Sequence, residues 1–248
     1  MTTNGIYTTE MAGDGPFFLF CDHAGNHFPE EYHCLGIPDD ILQTHIAWDP
    51  GAGPLTRALT QRLSGRAVLC SFSRLLIDPN RPTDRHDLIV TSSDQIPIPG
   101  NQNLTAEQRD TRIRELFDPY HQRLESELED FDRRGIAPFV LSVHSFTPRL
   151  MGRIEERPWH LGALWSHDAP TARKFMALIR ERTDYEIGDN EPYNAQEFNY
   201  SVDIHVAPRN LRHITMEVRQ DLIETEDQVE QLADQLAPIF RELQEGET

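Results

Sequence analysis

The sequence predicts an α/β protein, a three-layer sandwich with helices on both faces of a mainly parallel or mixed sheet. Three observations carry this. Short, continuous apolar runs such as Phe17-Phe18-Leu19-Phe20-Cys21 have the length and composition of buried strands. They alternate along the chain with longer segments of helical period. No internal repeat or low-complexity linker interrupts the alternation, so residues 1–248 read as one domain, with 38% hydrophobic residues to fill a core.

In chain order, the first strand is Phe17 to Cys21. Pro38-Asp39-Asp40 starts a helix that is expected to run to Trp48, and a second helix covers Gly53 to Leu63, with Leu55, Ala58, Leu59 and Leu63 on one face. Ala67 to Cys70 is the next strand, and Leu75-Leu76-Ile77 is expected to continue an extended path to Asp78. Residues 81–105 are rich in Pro, Asp, Ser and Asn and read as a long loop, a feature usually tied to function. Thr105 and Gln108 form a capping box that opens a long helix to about Arg134, ended by Gly135. Strands follow at Pro138 to Val143 and Leu161 to Trp165, a helix at Thr171 to Thr183, a loop at Tyr193 to Arg209, a strand at His213 to Val218, and a last helix from Glu226 to Gln244.

The formal net charge of -18 argues against a nucleic-acid or anionic-membrane partner, since both need a basic face. Cys21, Cys34 and Cys70 give no framework of pairs, which fits a reducing, cytoplasmic compartment. No apolar stretch approaches a membrane span, and Met1 to Gly15 lacks the pattern of a secretory leader.

Polar groups cluster where the strands end, which is where open α/β sheets bind ligands. His23 and His144 each follow a buried run. A catalytic zinc takes about three N/O ligands and leaves one position open, so the two histidines are candidates. Asn26 and Asp49 compete for the third place; a carboxylate suits the metal better, but Asp49 is equally placed to cap the helix after Pro50. Arg74, Asn80 and Arg81 form either a clamp for a carboxylate or, with Asp78, a loop-stabilising pair. Glu217 stands in the apolar run Ile214 to Val218 and is either a general base or the partner of Arg219, two residues on along the same strand face. Gly-x-Ser-x-Gly, GxGxxG, P-loop and CxxC motifs are all missing.

Five motifs in one order carry a resemblance. They are Asp22-His23-Ala-Gly-Asn26, His45-Ile-Ala-Trp-Asp49-Pro-Gly-Ala52, Ser73-Arg74-Leu-Leu-Ile-Asp78-Pro-Asn80-Arg81-Pro82, Val143-His144-Ser145-Phe146 and Glu217-Val-Arg219-Gln220-Asp221. Together, over residues 17 to 223, they resemble the N-formylglutamate amidohydrolase family and, more distantly, zinc carboxypeptidases and aspartoacylase-like amidohydrolases. The resemblance implies a phosphorylase/hydrolase-like sandwich and one zinc ion on His23, Asp49 and His144. Asn26 stands where the carboxypeptidase pattern has a ligating Glu. It further implies Glu217 as general base, Arg74 as the carbonyl-polarising group, Asn80 and Arg81 as the carboxylate clamp, and Ser145 and Arg219 as further substrate contacts. The implied activity is hydrolysis, by metal-activated water, of the N-formyl or N-acyl amide of an amino acid such as N-formylglutamate. A zinc peptidase acting on short or cell-wall peptides and a non-catalytic carboxylate-binding protein are the competing expectations.

Overall fold

Alternate side chains of each central strand divide between two cores, one on either side of a mixed sheet. In the computed structural model, which describes residues 2–3 and 5–246, Phe17, Leu19 and Cys21 enter one core and Phe18 and Phe20 the other. Met1, Asn4, Glu247 and Thr248, which the one-domain reading of residues 1–248 includes, lie outside the described residues.

The strands are β1 (Thr2–Thr3), β2 (Tyr7–Met11), β3 (Phe17–Cys21), β4 (Arg66–Cys70), β5 (Ser92–Ser93), β6 (Ile96–Pro97), β7 (Phe139–Phe146), β8 (Leu161–Leu164), β9 (Ile187–Asp189) and β10 (His213–Arg219). Eight form the main sheet in the order β1-β2-β4-β3-β7-β10-β8-β9, and β5 with β6 makes a separate small hairpin. The centre, β4-β3-β7-β10, is parallel, whereas β2 and β8 run against their inner neighbours. The chain leaves β3 for β4 on one side and returns to β7 on the other. That reversal opens a crevice at the carboxyl ends of β3 and β7.

The helices are α1 (Asp39–Leu42), α2 (Ala52–Leu63), α3 (Ala106–Arg112), α4 (Asp118–Arg133), α5 (Ala169–Arg182), α6 (Tyr200–His205) and α7 (Glu226–Glu245). Apolar residues of α2, α5 and α7 fill the first core, and those of α1, α4 and α6 the second. The three layers expected from the sequence are therefore present. Capping boxes begin α3 at Thr105 and α7 at Thr225. No helix among the described residues is long and apolar enough to cross a membrane.

Several elements differ from the sequence reading. The helix expected from Pro38 to Trp48 stops at Leu42, because the Thr44 N–H and hydroxyl both bond the Ile41 carbonyl and close a tight turn instead. Leu75-Leu76-Ile77 is a turn rather than an extension: Ser73 Oγ accepts from the Leu75 N–H at 3.2 Å and the Leu76 N–H returns to the Ser73 carbonyl. The helix from Thr105 to Arg134 widens into a π-turn at Ile113–Phe117, just before Pro119, which has no N–H for the ladder. β7 runs on through Phe146, so His144 and Ser145 lie inside the strand and not beyond it. The loop expected at Tyr193 to Arg209 contains α6.

Candidate active site

Two glycines bring the site loops into place. After β3 the chain passes so close to the segment after β4 that a Cβ on Gly25 would lie 2.2 Å from the Ser71 carbonyl oxygen. The His27 N–H then donates to the Ser71 carbonyl and the His27 carbonyl accepts from the Ser73 N–H, which carries Ser73 to Arg81 alongside His23. The N-cap of α2 is Gly51, at φ +80°, and not Asp49. The capping reading of Asp49 therefore fails, and its carboxylate is free to turn towards the sheet.

That carboxylate meets both histidines. Asp49 Oδ2 lies 2.9 Å from His144 Nδ1 and 3.4 Å from His23 Nδ1. One ligand atom from each residue falls within 4.8 Å of the others, and all three residues are buried. Two ligands held at roughly 2.0–2.1 Å by one tetrahedral ion stand about 3.3 Å apart, so the spacing matches a shared cation. The far ring nitrogens face carboxylates. His23 Nε2 is 2.8 Å from Asp78 Oδ1, and His144 Nε2 is 3.6 Å from Asp22 Oδ2, just beyond hydrogen-bond reach. A carboxylate beside Nε2 favours the proton there and leaves the Nδ1 lone pair turned to Asp49. Three acceptors converging with no proton between them need a cation, and these residues can hold a metal ion.

Without a metal, a proton takes the place. Burial alone would lower the His144 imidazole, but its contacts with Asp22 and Asp49 outweigh this and raise it to about 10. Asp49 is pulled far below the usual carboxylate range by the two histidines, against the effect of burial. Asp78 is likewise held well below that range despite burial, mainly by Arg74 and His23. Glu217 behaves in the opposite way. Burial raises its carboxyl to about 7, only partly countered by His144. Its Oε2 has no hydrogen-bond partner among the described residues.

His23, Asp49, Arg74, Asn80, Arg81, His144, Ser145 and Glu217 all line one cavity of about 420 Å³. Arg74 Nη2 donates to Asp78 Oδ2 at 2.8 Å and Nη1 lies 3.5 Å from Asp49 Oδ1, which fixes the guanidinium beside the His23, Asp49 and His144 group. Arg81 stacks on Phe198 with its Cζ 4.6 Å from the ring centre, and its Nε is 3.3 Å from Asp87. Asn80 Oδ1 accepts from the Ser201 N–H, and Ser145 Oγ donates to the Pro50 carbonyl.

Two expected residues are elsewhere. Asn26 donates to the Leu42 carbonyl, away from the histidines. Arg219 does not reach the cavity: a paired hydrogen bond with Asp221 at 2.7 and 3.0 Å, and carbonyls at 157–159, hold its guanidinium. The Glu217–Arg219 pair therefore does not form.

Sequence reasoning missed the supports. Asp78 and Asp22 back the two histidines, and Tyr120 and Ser201 both donate to Asp22 Oδ1. Tyr193, a further cavity residue, accepts from Arg157 Nη1 at 3.2 Å. Asp22 adjoins His23 in sequence yet serves His144, so no local spacing signals its role; Asp78 did carry a signal, since it lies inside the Arg74 to Arg81 motif.

The chain matches the family model for N-formylglutamate amidohydrolase over residues 15–224. Among solved structures it resembles the gene product Atu2144 from Agrobacterium tumefaciens, at 30% identity and a TM-score of 0.93, with 98% of this chain and 96% of that one covered. It also resembles an N-formylglutamate amidohydrolase from Ralstonia eutropha JMP134, at 19% identity and a TM-score of 0.73 over 95% of this chain and 96% of that one, a likeness of fold. No curated protein matches it. Since the family match runs from β3 through β10 and takes in every cavity residue named above, the chain belongs to the N-formylglutamate amidohydrolase family.

Proposed function

We propose that the protein is a zinc-dependent amidohydrolase cleaving the N-formyl or N-acyl amide of an amino acid, with N-formylglutamate as one candidate substrate. His23 Nδ1, Asp49 Oδ2 and His144 Nδ1 would hold the ion. When bound, zinc supplies a Lewis acid that makes water nucleophilic near neutral pH. Glu217 accepts the proton of the attacking water and passes it to the leaving amine; a carboxyl raised to about 7 can do both. Arg74, locked by Asp78, presents its charge where the carbonyl oxygen turns negative, a contribution of roughly 3–4 kcal/mol for a well-placed donor. Asn80 and Arg81 receive the substrate carboxylate, and Ser145 borders the same space.

One observation supports this reading above the rest. Two Nδ1 atoms converge on one carboxylate, with a carboxylate behind each ring, beside a buried Glu that has an unpaired oxygen. The test is metal content together with turnover of a panel of N-formyl and N-acyl amino acids, with and without added zinc. Purified protein that binds no zinc and hydrolyses none of the panel would leave only the carboxylate-binding alternative. A cavity of about 420 Å³ lies in the range that accepts drug-sized ligands. This favours, as a second reading, longer acyl chains or short peptides, which belong in the same panel.

A further inference from the structure

Against the Asp78 to Arg81 turn, two buried histidines form a chain of contacts that the proposed reaction does not use. His121 of α4 and His205 of α6 stack, with Nδ1 of the first 2.9 Å from Nε2 of the second. His121 Nε2 lies 2.9 Å from the Pro79 carbonyl oxygen. At the other end His205 Nδ1 lies 2.9 Å from Glu125 Oε2, while Glu125 Oε1 accepts from Arg209 Nη2 at 2.6 Å.

Counting protons shows what this chain does. Both its ends, the Pro79 carbonyl and the Glu125 carboxylate, accept only. Three contacts need three protons, and two neutral imidazoles bring two. With one added proton every contact is filled: His121 donates to Pro79, and His205 donates to both His121 and Glu125. With none added, one of the three contacts lacks a donor. An empty central contact would set two ring lone pairs face to face at 2.9 Å, and the bond to a carboxylate is the stronger of the two ends, so the protons shift towards Glu125 and the Pro79 carbonyl is left facing a lone pair.

The turn held by this carbonyl carries Asn80 and Arg81. α6 grips it a second time through the Ser201 N–H to Asn80 Oδ1, at 3.1 Å. We infer that His121, His205 and Glu125 are positioning residues for the Asp78 to Arg81 turn, and that one shared proton sets whether the Pro79 carbonyl is held. The consequence for substrate affinity rests on the reading of Asn80 and Arg81 as the carboxylate clamp.

The surroundings favour release of the added proton. Burial, then the neighbouring His205, pull His121 down to about 4. Burial also lowers His205, opposed by Glu125 from α4 and by Asp22 after β3, and assisted by Arg209 from the turn after α6. The rings of Phe117, Tyr120 and Tyr200 complete the wall around His121. The shared proton therefore rests on His205 and leaves as pH rises through a midpoint below the ordinary histidine value.

Glu125→Gln is the discriminating variant. Its amide oxygen can still accept from Arg209, and its amide N–H can donate to His205 Nδ1, which fills every contact with neutral rings. In 15N-labelled, zinc-supplemented wild type, the Asn80 and Arg81 amide resonances are expected to titrate with the same midpoint as the His121 and His205 ring nitrogens. In Glu125→Gln they should stay at their low-pH positions throughout. His121→Gln, whose amide donates to Pro79 at every pH, should be equally flat. Asn80 and Arg81 resonances that ignore the histidine midpoint, or that titrate unchanged in both variants, overturn the inference. The kinetic arm uses N-formylglutamate, or whichever N-acyl amino acid of the panel is turned over. Across the midpoint, wild-type KM should rise about 2- to 10-fold relative to Glu125→Gln, the worth of one hydrogen bond, with the kcat ratio constant. Identical KM profiles overturn the effect on the clamp. Absence of any turnover counts against the proposed reaction, and the resonances still decide the relay.

Discussion

Glu217 and His144 are direct Cα partners across the parallel pair β10 and β7, so their side chains leave the sheet on the same face. The register therefore sets an uncharged-leaning carboxyl beside a metal-competent imidazole. Thr215 and Ser142, the partners two residues earlier, extend the same polar face, while Ile214, Met216 and Val218 turn into the opposite core. One face of two adjacent strands thus supplies the site and the other supplies stability. Neither residue can be displaced by a slip of one position without emptying both faces at once.

Glu217→Gln is expected to lower turnover by about 100-fold or more, the usual worth of a positioned acid–base group, while zinc content stays unchanged. It should also stabilise the metal-free protein at alkaline pH. The carboxyl is raised from 4.5 to about 7 in the fold, so the native state binds the extra proton between these values. The contribution of Glu217 to stability is then largest below about 4.5, falls as pH rises towards about 7, and is flat above. Removing the carboxylate should return up to about 3 kcal/mol at pH 8. Urea denaturation of both proteins at pH 5 and pH 8 measures this. A variant less stable at pH 8 with near-normal turnover would restore a purely structural Glu217.

Asp49→Asn should cost at least 100-fold in zinc affinity, because the only anionic member of the cluster is lost and an amide N–H can point at the Nδ1 atoms instead. Asn26→Ala should bind zinc as the wild type does, since its amide serves the Leu42 carbonyl. Competition titration with a chelating dye compares the two variants. Equal losses would remove Asp49 from the cluster.

Much of this geometry could be read in the sequence, and what could not has physical causes. Short, apolar-rich segments announced β3, β4, β7, β8 and β10, because each is buried at four or more successive positions and burial on both faces favours apolar side chains. β2 was hidden by Thr8, Thr9 and Glu10, polar residues on a strand near the sheet edge, and β9 is only three residues long. His23 and His144 stood out as polar groups following buried apolar runs, and Asp49 as the carboxylate before Pro50. Their carboxylate supports did not, since the His23–Asp78 contact spans 55 residues and depends on the Ser73 turn. Arg219 was misplaced by extending the strand rule one step too far. It is the last residue of β10, and the turn that follows brings Asp221 to its guanidinium.

Asp78→Asn tests the support behind His23. An amide presents either its oxygen, which keeps the hydrogen bond without the charge, or its N–H, which forces the wrong tautomer. Loss of such a backing group typically costs 10- to 100-fold in metal affinity or activity. With the amide oxygen on His23, the amide N–H faces Arg74, which loses its 2.8 Å acceptor, so in that orientation the kcat loss should exceed the loss in metal affinity. Cadmium or zinc titration alongside kcat at saturating zinc separates the two effects. If zinc restores full kcat, Asp78 acts on the metal alone and not through Arg74.

Arg81→Lys tests the clamp. The guanidinium carbon lies over the Phe198 ring, with Nε towards Asp87, and a planar fork held in place can meet a carboxylate with two parallel hydrogen bonds. Lysine keeps the charge but offers a single point donor and loses the stacking, so it cannot reproduce that geometry. The variant is expected to raise KM for the substrate that wild type turns over by roughly 5- to 150-fold, equivalent to about 1–3 kcal/mol, with a smaller change in kcat. A substrate analogue with a carboxamide in place of the carboxylate should be poor for the wild type for the same reason. It should also gain nothing from the lysine, because the pocket groups are left unpaired in both proteins. Steady-state kinetics of the four enzyme and substrate pairings measures the coupling directly. If the carboxamide penalty is the same size with Arg81 and with a neutral residue such as Gln at that position, the carboxylate binds elsewhere in the cavity, and Arg74 is the next guanidinium to test.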